Sequence, residues 1–163
     1  MTGAARQLGS GPGVATAEVG PVCICIWRGA VTASTFAVQS QALAQVVAHH
    51  PEGAAFLCVI EPTATPPDDD HRKKSAELLT SFGSRLRCVA TVVEGSGLKA
   101  SIARAVLSGI SLIARERQTK ADYFSDTARA VAWLREHLDA PPAEQVLAAV
   151  DELRATLPPP TRK

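Results

Sequence analysis

Residues 54–61 read AAFLCVIE. Seven apolar side chains in a row, closed by one carboxylate, do not fit a strand with one wet face, because alternation would place a polar residue at every second position. A strand covered on both faces is expected instead, as in a parallel sheet with helices packed against it. Outward from this stretch the same kind of run recurs. Residues 22–28, VCICIWR, and residues 87–94, RCVATVVE, read as buried strands, and residues 118–124 as a shorter, more polar strand near a sheet edge. Residues 14–19 add a weaker strand, joined to 22–28 in a hairpin across Gly20-Pro21.

Helical patterns fill the intervals. In residues 32–50, Phe36, Leu43, Val46 and Val47 share one side while Gln39, Gln41 and Gln45 lie elsewhere, with Thr32 or Ser34 as cap. Residues 68–86 start with Asp68-Asp69-Asp70, suited to the positive end of a helix dipole, and carry Leu78, Leu79 and Phe82 toward a core. Leu98, Ile102, Val106, Ile110 and Ile113 recur at helical spacing over 98–115. Ser125 can cap a helix through Leu138. After Pro141-Pro142 a last helix shows Val146, Val150, Leu153 and Leu157 as one stripe. The order (β)β-α-β-α-β-α-β-α-α specifies an α/β fold with a mainly parallel, mixed sheet of four to five strands. Residues 1–13 and 158–163, small, polar or Pro-rich, are expected to be disordered tails; 14–138 form the domain and 142–157 a C-terminal helical extension.

The whole chain has 163 residues, enough for one domain with a core, and 46% of it is apolar with only 4% aromatic. The core must therefore rest on Ala, Val, Leu and Ile. Seventeen basic and sixteen acidic side chains leave a net charge of +1, which provides no field for nucleic acid and no polybasic lipid patch. The first 13 residues lack the apolar segment of a secretory signal, and no stretch approaches the roughly 20 apolar residues that cross a bilayer. A cytoplasmic protein without membrane insertion is expected. Cys23, Cys25, Cys58 and Cys88 all lie in strand-like runs and read as small buried hydrophobes. Cys23 and Cys25 share a strand face, but no C-x-x-C or neighbouring histidine completes a tetrahedral metal site. His49, His50, His71 and His137 read as solvated residues of helix ends or charged helices, and no catalytic constellation or cofactor motif emerges.

Three segments together resemble a known family. They are WRGAVT at residues 27–32, where a strand ends in glycine before a helix, the strand at residues 88–93, and YFSDTARAVAWL at residues 123–134. Over about residues 14–138 the chain resembles the STAS-like group that includes the SpoIIAA-like proteins. The resemblance implies a small non-enzymatic regulatory module that docks a partner protein in bacterial signalling. In some members a Ser or Thr in an Asp-Ser-x-Gly loop after a central strand is phosphorylated. The matching loop here, residues 61–67, contains Thr63 and Thr65 but no Asp-Ser-x-Gly, and a phosphate there would face Asp68–Asp70.

Two functions follow from these readings. In the first, the module binds a protein partner, and the stripe Val146, Val150, Leu153 and Leu157 is covered by that partner, by a second copy in a homodimer, or by its own sheet. In the second, a small ligand such as a nucleotide, a phosphate or a lipid binds at the carboxyl ends of the strands, where Glu61, Glu94 and Gly95-Ser96-Gly97 should gather. A glycine-rich strand-to-helix turn can present backbone N–H groups to an anion, with Lys99 adding a charge. The same turn is also what a simple bend requires: neither G-x-x-x-x-G-K-[ST] nor G-x-G-x-x-G is present, and Glu94 would repel a phosphate.

Overall fold

The computed structural model describes residues 4–97, 100–101, 104–105 and 119–160. The expected helix over 98–115, and with it Lys99, falls largely outside the described residues. Six strands form one sheet in sequence order: β1 (Arg6–Gly11), β2 (Val14–Val19), β3 (Val22–Trp27), β4 (Ala54–Ile60), β5 (Leu86–Val93) and β6 (Lys120–Phe124). β1 to β3 pair antiparallel and β3 to β6 pair parallel. The mixed α/β sheet is as expected, but it has six strands rather than four or five.

The additional strand is β1, in a stretch expected to be a disordered tail. Its side chains carry no apolar alternation because almost nothing in it faces a core. Backbone pairing to β2 holds it, together with the Thr16 hydroxyl, which accepts from Gly9 N–H and donates to the Gly9 carbonyl. Val38 of the first helix packs over β1, where a Cβ at Gly9 or Gly11 would sit in ordinary van der Waals contact with it, at 3.7 and 3.5 Å. The turn into β2 requires glycine. Gly13 has φ +74°, and a Cβ there would lie 2.6 Å from the backbone of Gly29. Its carbonyl accepts from the N–H groups of Arg28 and Gly29 at 2.7 and 3.1 Å, joining the hairpin to the end of β3.

The continuous apolar runs are explained by two cores. On β3, Val22, Ile24 and Ile26 face one side, and Cys23, Cys25 and Trp27 the other. The second side is covered by α1 (Ala33–His49) and α2 (Asp69–Ser81), and the first by α3 (Thr127–His137) and α4 (Ala143–Thr156). Consecutive parallel neighbours joined by crossovers of one hand place α1 and α2 on the same face. A fully buried Leu57, Val59 or Ile24 contributes about 1.5–3 kcal/mol of transfer free energy.

Helix starts follow local chemistry. Thr32 caps α1 in a capping box with Thr35, Asp68 caps α2 through the N–H of His71, and Asp126, not Ser125, caps α3 through the N–H of Arg129. Gln39, expected away from the core, is buried, because its amide oxygen accepts from Trp27 Nε1 at 2.8 Å. Of the three residues in and just after α2 expected to face the core, Leu79 is buried, while Leu78 and Phe82 pack only partly against it.

The stripe of α4 is part of the first core. Val146 and Val150 are 1% exposed, Leu153 3% and Leu157 7%, packed with β2, β3 and α3. These four residues, expected as a partner interface, are therefore covered by their own sheet, and α4 is integral to the domain rather than an extension of it. Among the described residues no helix is long and apolar enough to cross a membrane.

Candidate functional site

Each of the parallel strands β3 to β5 runs into the sheet's carboxyl edge with a charged or polar residue directly after it: Arg28, Glu61 and Glu94. The fold brings these three beside Arg154 of α4. Glu61, 6% exposed, accepts from Arg28 Nε at 2.5 Å and Nη2 at 3.1 Å, and from Arg154 Nη1 at 2.8 Å. Arg154 also grips Glu94 with both terminal nitrogens, at 2.7 and 2.9 Å. Arg28 Nη1 donates to the carbonyls of Leu157 and Pro158, each at 3.0 Å. Two guanidinium groups and two carboxylates thus form a neutral quartet that fastens the end of α4 to three strand ends. Burial alone would raise the pKa of Glu61, but the bonds from Arg28 and Arg154 hold it below the ordinary carboxylate value.

A second carboxylate cluster lies at the far end of the α1 face. Glu18 points from β2 toward the C-terminus of α1. Arg6 Nη2 donates to it at 2.5 Å, and His49 Nδ1 and His50 Nε2 lie 3.1 Å from its oxygens. These two histidines are not simply solvated. Burial again raises the pKa of Glu18, while Arg6, His49 and His50 together bring it below 4.5. Glu18 and Glu61 therefore add stability that is fully present above about pH 4.5 and is lost as pH falls through their lower folded values. Urea midpoints should drop steeply below that pH in the native chain and less steeply in Glu18→Gln; equal slopes would remove Glu18 from the account.

Two clefts open near the carboxyl edge. The larger in outline, about 830 Å³ counting space open to solvent, lies between α2 and the sheet. Its walls include Trp27, Phe36, Phe56, Ile60 and Leu79, and its polar atoms come from Gln39, Thr65, Ser75 and Thr91. Among the described residues none that lines it is charged. The cleft exists because α2 is a polar helix that buries only His71, Ala76 and Leu79 and spans an apolar floor without filling the space beneath it. His71, expected to be solvated, packs against Phe36 with ring centroids 5.7 Å apart, its Nδ1 2.8 Å from Asp68. The smaller cleft, about 470 Å³, is lined by Glu61, Pro62, Glu94, Gly95 and Ser96 among others.

The expected gathering of Glu61, Glu94 and the glycine turn is thus present. Gly95, Ser96 and Gly97 are exposed, with φ +95° at Gly95 and +90° at Gly97. Gly95 lies against Pro62, 3.3 Å from where a Cβ would sit, and its carbonyl accepts from Arg104 Nη2 at 3.2 Å. Thr63 is exposed and its hydroxyl donates to the Arg28 carbonyl at 2.9 Å; Thr65 lines the larger cleft, and its N–H donates to the Gly29 carbonyl. Sequence reasoning missed Arg154, Arg28 and the α2 cleft. The four cysteines are free and buried, and burial pushes the thiols of Cys58 and Cys88 up to about 12. Cys25 and Cys58 are register partners on the α1–α2 face, yet no group of described residues is arranged to hold a metal ion.

No family model, curated protein or solved structure matches the chain.

Proposed function

We propose that the chain is a non-enzymatic, STAS-like regulatory module that senses a small, uncharged and largely apolar molecule held beneath α2. The observation that carries this reading is the cleft itself: concave, walled by three aromatic side chains, and free of charge among the described residues. The slot is bounded by a helix on one side and the sheet on the other, which suits a small molecule better than a docking helix. Neutral polar groups at Gln39, Ser75 and Thr91 would orient such a ligand without demanding a charge on it.

The α4 stripe is not offered to a partner, because it is consumed by the first core. A partner protein belongs to this proposal as a reader of the filled or empty state through the outer face of α2. A cytoplasmic setting belongs to it too, since four free thiols suit a reducing compartment.

The test is fluorescence titration with Nile red, a neutral apolar dye. Saturable enhancement is expected in the native chain. Ser75→Trp, which pushes an indole into the cleft from the half-buried inner side of α2, should weaken binding about tenfold or more, the worth of some 1.4 kcal/mol, while the melting temperature stays close to native. No saturable binding, or binding indifferent to the indole, would remove the function assigned to the cleft.

A further inference from the structure

The α2 cleft and the carboxyl-edge cleft share a wall: Ile60, Ala64 and Pro66 line both. The two spaces therefore border the same three residues, and they differ sharply in chemistry. The first offers apolar surface, whereas the second is lined by the part-exposed Glu94 and the buried Glu61 beside the Gly95-Ser96 turn.

What the second cleft can recognise follows from which hydrogen-bonding groups are already spent. The terminal nitrogens of both guanidinium groups donate to protein oxygens: those of Arg28 to Glu61 and to the Leu157 and Pro158 carbonyls, those of Arg154 to Glu61 and Glu94. Each Glu94 oxygen takes one of these bonds, although a carboxylate offers about four acceptor positions. Glu94 has a side chain 26% exposed, so its spare acceptor capacity is within reach of a ligand. The terminal nitrogens of Arg28 and Arg154 are spent on the protein and Arg104 Nη2 is held by the Val93 and Gly95 carbonyls, while Glu94 keeps acceptor capacity. A group that donates is therefore well served at Glu94.

We propose that the two clefts form one site for an amphiphile whose apolar tail lies beneath α2 and whose hydrogen-bond-donating head, a hydroxyl or an ammonium, sits against Glu94 and Glu61. This inference rests on reading the α2 cleft as a ligand site, and it reverses the head-group chemistry that a phosphate cradle at Gly95-Ser96-Gly97 would require. A hydroxyl gains a charge-assisted hydrogen bond to a carboxylate; an ammonium gains the ion pair as well.

The experiment is displacement of Nile red from the full chain by decanol, decylamine, decanoate and decyl phosphate, four ligands with one tail and different heads. Decanol and decylamine should displace the dye at concentrations about tenfold below those of decanoate and decyl phosphate, a step of some 1.4 kcal/mol. Decylamine better than decanol would assign the site to ammonium; equal values would assign it to a hydroxyl. In Glu94→Gln, whose amide supplies N–H donors and one fewer acceptor oxygen, the preference should narrow to within about threefold, or some 0.65 kcal/mol. Because that change also loosens Arg154, Ser96→Lys provides an independent check: it adds a cation at an exposed position outside the quartet and should shift the preference toward decanoate. Dye binding with equal displacement by all four heads, or with the anions strongest, would overturn the head-group assignment and leave the cleft reading standing. Failure of the dye itself to bind would remove both.

Discussion

Arg154→Met should lower the unfolding free energy by about 3 kcal/mol, the cost of leaving a buried carboxylate without its partner. Glu61 is 6% exposed and would keep only Arg28, while Glu94 would lose both of its guanidinium contacts. The methionine fills nearly the same volume, so the loss is electrostatic rather than a packing defect. Arg154→Lys should recover only a small part of it, because one ammonium cannot reach Glu61 and both Glu94 oxygens with the geometry of a planar fork. Urea denaturation at pH 7 measures both variants. Because the quartet is only partly exposed, added salt should change the native stability little. A Met variant as stable as the native chain would mean that the quartet contributes nothing net to folding, an outcome known for buried ion pairs replaced whole by apolar groups.

Leu153→Ala should cost a similar amount, about 3 kcal/mol, for a different reason. Leu153 is 3% exposed within the core built by β2, β3, α3 and α4, and truncation leaves a cavity that the sheet cannot collapse to fill. The size of this effect separates two views of the last helix. If the stripe served a partner, the isolated chain would lose almost nothing on truncation and a complex would weaken. If the stripe closes its own core, the isolated chain loses stability with no partner present. Chemical denaturation of the purified protein therefore decides between them, with a midpoint unchanged from native contradicting the packing described above.

The parts of this architecture that were legible in the sequence are those in which one residue type repeats for one reason. AAFLCVI is apolar throughout because both faces of β4 are covered, and the last-helix stripe recurs at helical spacing because one face is buried. β1 was illegible because backbone pairing and the Thr16 hydroxyl, not apolar alternation, hold it in place. Gln39 misled because its burial depends on a single bond to Trp27, a residue twelve positions away. The quartet was half legible. Glu61 and Glu94 could be placed at neighbouring strand ends from the order of elements alone, but Arg154 lies 60 residues beyond Glu94 and 93 beyond Glu61, and nothing local marks it as their partner. The α2 cleft left no trace in any residue, since it is the difference between what α2 covers and what it fills.

The clasp between Arg28 and the carbonyls of Leu157 and Pro158 joins positions 129 and 130 residues apart. It sets a timetable for folding. Strands β2 and β3 are made early, yet one of their two faces finds its cover only when α4 has been synthesised and has left the ribosome. Until then Val19, Ile24 and Ile26 present an open apolar sheet to the cell, in a topology whose closing contacts are the most distant in sequence. Folding of this domain should accordingly be completed only once α4 is available, with α1 and its core in place before α4 closes the other side.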